Sequence, residues 1–158
     1  MGDHVITPEP EHIFITPLGF HLYASDFLAA ANEFKCPDRF SPVPYSLYCR
    51  SIELTLKAFL LGKGLSKEEL KDRNKFGHDL VNLINRARDL GIETLVNLSP
   101  ARLECVRKAN GYYESKTIEY FDIRFAVCGY PDLPALDVLK ELASDLVCQL
   151  KQYCLDVS

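Results

Sequence analysis

Twenty consecutive residues, Val43 to Gly62, are apolar on two sides of a helix. Tyr45, Tyr48, Cys49, Ile52, Leu56, Phe59 and Leu60 recur at the 3.6-residue spacing of one wide face, and Leu47, Leu54, Ala58 and Leu61 make a second. A helix with two apolar faces is stable in water only when neighbours cover both, so this segment is expected in the middle of a helical bundle. What remains is a narrow polar stripe of Ser46, Arg50, Glu53 and Lys57, confined to about one-sixth of the circumference. Arg50–Glu53 and Glu53–Lys57 have the spacings of intrahelical ion pairs. The stripe reads either as a solvated seam or as a charged ridge at a groove or dimer interface.

The flanking sequence supplies the neighbours. Tyr23, Phe27, Ala30, Ala31 and Phe34 give a first helix from about Leu22 to Lys35, and three prolines between Cys36 and Pro44 break it. Gly62 and Gly64 end the central helix, and Ser66-Lys67-Glu68-Glu69 is a capping box for a short turn. Leu80, Leu83, Ile84, Ala87 and Leu90 stripe a further helix closed by Gly91. Ser99-Pro100 opens another, which Asn110-Gly111 interrupts or ends. Residues 112–130, rich in Thr, Ile, Tyr and Phe, read as an irregular or partly helical connection. The last helix runs from about Pro134 to Asp156. The chain is expected to be a single all-α domain over residues 1–158, a bundle of four to five helices. Residues 1–20 form a poorly ordered N-terminal arm, since they are polar, proline-rich and without a period.

Composition excludes several classes. A chain of 158 residues is one domain in size. No apolar run approaches the roughly 18 residues a membrane span needs, and the N-terminus lacks the pattern of a secretory signal. The six cysteines form no CxxC pair and no cluster with histidine, so they read as reduced, mostly buried small hydrophobes of a cytoplasmic protein. No metal and no cofactor is implied. The net charge of −4 gives no support to duplex binding by bulk electrostatics. Residues 1–33 hold five acids and no Lys or Arg, and residues 129–158 five acids against two bases, which leaves 16 bases and 12 acids between them. That local excess fits either a phosphate-bearing ligand or an ordinary solvated helical surface.

One arrangement looks chemical. Arg73-Asn74-Lys75-Phe76-Gly77-His78 places an arginine fork and an imidazole at the entrance of a helix, with Asp79 next. Such a set is able to cleave RNA without a metal, with His78 removing a proton from a ribose 2′-hydroxyl, Arg73 stabilising charge on phosphorus oxygens and Asn74 orienting the phosphate. The plain alternative is a helix-entry turn in which Asp79 complements the dipole. His4, His12 and His21 lie in the N-terminal region, leaving His78 as the histidine of the packed body. Tyr112, Tyr113, Tyr120, Phe121 and Phe125, with Lys116 and Arg124 among them, form either a base-stacking surface or a lid over the core. Lys75, Asp79 and Arg124 join Arg50, Glu53 and Lys57 as candidate binding or interface positions.

Tyr48-x-x-x-Ile52-Glu53-x-x-Leu56-Lys57-Ala58-x-Leu60, followed by Gly77-His78-Asp79-Leu80, resembles the HEPN (higher eukaryotes and prokaryotes nucleotide-binding) domains over residues 44–91. The resemblance implies an up-and-down helical bundle, commonly a homodimer, tied to RNA or nucleotides. Many members are metal-independent ribonucleases of toxin–antitoxin or defence systems. Others bind nucleotides or act as non-catalytic partners of nucleotidyltransferases, so a nucleotidyltransferase or an antitoxin is an implied partner. The family signature, an arginine followed by a polar residue and then a histidine four to six positions on, is matched by Arg73, Asn74 and His78. In catalytic members it sits late in the domain, whereas here it precedes the third long helix. Two functions follow: an RNA- or nucleotide-binding module with ribonuclease chemistry, or a non-catalytic dimeric protein-interaction module docking through Arg50, Glu53 and Lys57.

Overall fold

The computed structural model describes residues 15–36, 38–120 and 122–158. The first fourteen residues of the expected arm, His4 and His12 among them, lie outside the described residues, as do Pro37 and Phe121. Among the described residues the chain is an all-α helical bundle with no strand. Its helices are α1 (Pro17–Glu33), α2 (Val43–Gly62), α3 (Lys67–Lys71), α4 (Leu80–Asp89), α5 (Pro100–Tyr113), α6 (Ile123–Cys128) and α7 (Leu136–Asp156), with a 3-10 turn at Ile92–Thr94.

The central position of α2 is as expected. It packs against α1, α7, α4, α5 and α3, and every residue from Ser51 to Leu60 is buried. Ile52, Leu56, Phe59 and Leu60 are wholly enclosed, each side chain contributing about 1.5–3 kcal/mol relative to exposure. The small polar residues on this helix are satisfied within it or by its neighbour. Ser51 donates to the Ala24 carbonyl at 2.9 Å, and Thr55 donates to the Ser51 carbonyl at 2.8 Å. On α7, Leu139, Leu142, Leu146, Leu150 and Cys154 meet this core, and Tyr153 donates to the Phe59 carbonyl at 3.2 Å.

Two boundaries differ from expectation, each for a local reason. Helix α1 begins at Pro17 rather than near Leu22, so residues 17–20 are not part of an irregular arm. The Thr16 side chain accepts the Gly19 N–H at 3.0 Å, Pro17 occupies the first turn, and the Leu18 N–H donates to Ser158 Oγ at 2.8 Å. The turn is fixed by its cap rather than by apolar spacing. Helix α5 runs through Asn110-Gly111 to Tyr113 instead of stopping there. Glycine in a helix costs about 1 kcal/mol. Here the buried Tyr113 and three hydrogen bonds of Asn110 offset it.

Beyond α5, the expected irregular, partly helical connection is a series of turns and the short α6. Phe125 stacks on Tyr130 with centroids 4.7 Å apart, Tyr112 meets both edge-on, and Tyr112 donates to the Pro131 carbonyl. These rings form a lid. Of the six free cysteines, Cys49, Cys105 and Cys154 are buried and Cys36, Cys128 and Cys148 are exposed, so half of them depart from the expectation of burial. Among the described residues no helix is long and apolar enough to cross a membrane.

Candidate functional site

The charged part of the α2 stripe is not a solvated seam but lies buried at a groove. Glu53 is 1% exposed and Lys57 8%, and with Arg50 they line a cleft between α2, α3 and the loop that follows α3. The ion pairs expected from spacing are present, with Arg50 Nη1 at 3.2 Å and Lys57 Nζ at 2.7 Å from Glu53 Oε1. Two further groups reach the same carboxylate from elsewhere in the chain. His78 Nδ1 lies 3.0 Å from Oε2, and the Tyr113 hydroxyl donates to that oxygen from α5. Burial alone raises the Glu53 carboxyl pKa. The His78 hydrogen bond and the Lys57 and Arg50 charges outweigh it and hold the group at about 2. Burial and the neighbouring Glu53 charge push the Tyr113 hydroxyl far upward, so it stays a neutral donor.

The loop carrying His78 is built by its backbone. The Asp72 carbonyl accepts from the amides of Lys75, Phe76 and Gly77, and the Asp72 side chain accepts the Asn74 N–H at 2.9 Å. Gly77 takes a left-handed φ of +45°, and a Cβ there would stand 3.1 Å from Arg73 Cα. Its carbonyl accepts a 2.6 Å hydrogen bond from Lys57 Nζ. Asp79 is the N-cap of α4, accepting the Asn82 N–H at 3.0 Å. His78 therefore stands at the entrance of α4, one residue before its cap and outside the first helical turn. Its partner is a carboxylate rather than the helix dipole.

An ionised carboxylate facing Nδ1 accepts a hydrogen bond from it and so favours the tautomer protonated there, in which Nε2 is the acceptor. The side chain is 32% exposed. Lys67 and Lys71 from α3 and Arg73 from the loop line the same cleft, of about 310 Å³. Among the described residues none of these three cations has an ion pair with an acidic side chain. The cleft thus joins an oriented imidazole to uncommitted positive charge, with its one acid fully engaged by neighbours.

The other expected site residues are not part of this cleft. Asn74 is exposed and does not line it. Lys75 is exposed, with its ammonium 3.9 Å from Glu69. Asp79 has a capping role, and Arg124 lies on α6, where it pairs with Asp122 at 2.6 Å. His78 is also not the only histidine of the packed body. His21 is 3% exposed, its Nε2 2.7 Å from the Val147 carbonyl. It belongs to the body because α1 starts at Pro17, ahead of it.

No family model, curated protein or solved structure matches the chain. The reading of the cleft therefore rests on its own geometry.

Tyr113, expected in a stacking surface or lid, is instead a buried partner of Glu53, and the sequence does not single out Lys67, Lys71 or Asn110 as site residues. Asn110 had a signal: it stands on the α5 face of Val106, Ala109 and Tyr113, where only a buried side chain fits. The two lysines had none beyond their charge, since a five-residue helix gives no face to assign.

Proposed function

We propose that this chain is a HEPN-like RNA-binding module that cleaves RNA at the cleft above Glu53. The supporting observation is the coupling of His78 to a buried, ionised carboxylate beside three cations that have no acidic partner among the described residues. A carboxylate on Nδ1 fixes the ring's tautomer and orientation and leaves Nε2 to act as a base. In the reaction, Nε2 takes the proton of a ribose 2′-hydroxyl and O2′ attacks the adjacent phosphorus. The P–O5′ bond breaks, the departing oxygen takes a proton from water, and a 2′,3′-cyclic phosphate remains. Arg73 faces the phosphate oxygens with a planar fork, and Lys67 and Lys71 hold neighbouring phosphates by charge. Glu53 acts through His78 and is a positioning residue. The alternative, a protein-interaction module docking through Arg50, Glu53 and Lys57, has less support, because Glu53 and Lys57 are buried and Arg50 alone of the three is partly exposed. A homodimer, and a nucleotidyltransferase or antitoxin partner, belong to the proposal through the HEPN resemblance alone.

The test is RNA cleavage in EDTA by the native chain, His78→Ala and Arg73→Ala. Cleavage that leaves cyclic phosphate ends and falls at least a hundredfold in His78→Ala supports the reading. Equal cleavage by all three, or none by the native chain, removes the catalytic claim.

A further inference from the structure

Arg73, Gly77 and His78 line two pockets, not one. A second cavity of about 200 Å³ shares these three residues with the cationic cleft and is also lined by Phe76, Asp79, Glu114 and Lys116. Its chemistry is different. It adds an aromatic ring, the Lys116 side chain and two carboxylates, of which Asp79 is held at the start of α4 as its N-cap. Asp79 Oδ1 accepts both the Asn82 N–H and the Asn110 amide. Glu114 accepts from Asn110 at Oε2 alone, which leaves Oε1 without a partner among the described residues.

We infer that this second pocket holds the nucleobase on the 5′ side of the scissile phosphate, and that Glu114 selects a base bearing an exocyclic amino group. The inference rests on the proposed function, since it takes the shared residues Arg73 and His78 as the place of the phosphate. A base entering this pocket meets the Phe76 ring as a stacking partner, and every base has a π-face to offer it. Cytosine, adenine and guanine bring an exocyclic amino group to a carboxylate. Uracil has a carbonyl oxygen where cytosine has that amino group, its one edge donor being the ring N3–H between two carbonyls, and an acceptor facing an acceptor is left unpaired and repelled. The anionic strand then continues into the cleft of Lys67 and Lys71, which Glu114 does not line. Arg73, Gly77 and His78 are thus shared by a base-reading pocket and a phosphate-holding cleft.

The probes are inorganic pyrophosphate and two dinucleotides, 2′-deoxycytidylyl-(3′→5′)-adenosine and 2′-deoxyuridylyl-(3′→5′)-adenosine. The missing 2′-hydroxyl prevents attack, so equilibrium binding is measured by calorimetry on the native chain and on Glu114→Ala. The expected result is about tenfold tighter binding of the cytosine probe than of the uracil probe to the native chain. In Glu114→Ala the two should agree within about twofold, with a circular dichroism spectrum that shows the fold intact. Equal affinity of the two dinucleotides for the native chain overturns the inference, while pyrophosphate binding leaves the cationic cleft standing. An undiminished preference in Glu114→Ala also overturns it. If none of the three ligands binds, the cleft reading fails and this one with it.

Discussion

Lys57 joins two parts of the molecule through one ammonium: it donates to Glu53 Oε1 one turn back on α2 and to the carbonyl of Gly77, twenty residues on. The loop that presents His78 is therefore tied to the central helix by a charge-assisted hydrogen bond at its most constrained residue. Removing the ammonium leaves a buried carbonyl unpaired and a buried carboxylate short of a cation. Lys57→Met should lower stability by about 2–4 kcal/mol in urea titrations. It should also loosen His78, visible as a broadened imidazole resonance. A change below about 0.5 kcal/mol would show that the bond carries no weight.

Glu53→Gln keeps the shape of the side chain and removes the charge that three basic groups face. Breaking a buried ion cluster from one side costs about 3–5 kcal/mol. In a cleavage assay under folding conditions, the loss should fall on kcat rather than on KM, because Glu53 orients the base without touching substrate. A change confined to KM argues against that role.

The same carboxylate sets a pH dependence. Its folded pKa of about 2 lies below the ordinary 4.5, so it contributes stability in full above about pH 4.5, which is lost as pH falls through 2. By linkage the amount is on the order of 3 kcal/mol. Thermal midpoints of the native chain should fall between pH 5 and 2 more steeply than those of Glu53→Gln. Parallel curves would assign the acid sensitivity elsewhere.

Gly77→Ala puts a Cβ on a left-handed residue and against the Arg73 backbone. About 1–2 kcal/mol of destabilisation is expected from the backbone alone. Gly64 shares the positive φ, at +95°, but a Cβ there meets nothing within 4 Å. Gly64→Ala is thus the comparison that separates strain from collision, and Gly77→Ala should be the more damaging in the same denaturant series.

Asn110→Ala removes the acceptor of the Leu80 N–H, which is buried at the start of α4. An unpaired buried donor costs about 1–3 kcal/mol. Hydrogen exchange at the Leu80 amide should accelerate with it, and an unaltered rate would mean water has taken the place of the side chain.

Much of this fold is legible in the chain because it follows from periodicity. The two apolar faces between Tyr45 and Leu61 require a surrounded helix, and Ser66, Glu69 and Gly91 mark element ends through local hydrogen bonds or a local φ. The site is legible only in part. Spacing pairs Glu53 with Arg50 and Lys57, since those contacts lie within one helix. It does not reveal that the stripe is buried, because burial depends on what packs over it. The contacts that give His78 and Tyr113 their meaning span 25 and 60 residues, and no local pattern records them.

The two residues that lean on Glu53 Oε2 arrive from different distances along the chain. His78 comes from the loop after α3, and Tyr113 from the last residue of α5. The ring of partners around the carboxylate is consequently complete only once α5 has docked. A chain still emerging from synthesis, or one cut before residue 113, carries the Arg73–His78 loop without the assembly that aims it. The imidazole thus has its full set of supporting contacts only once residue 113 is in place.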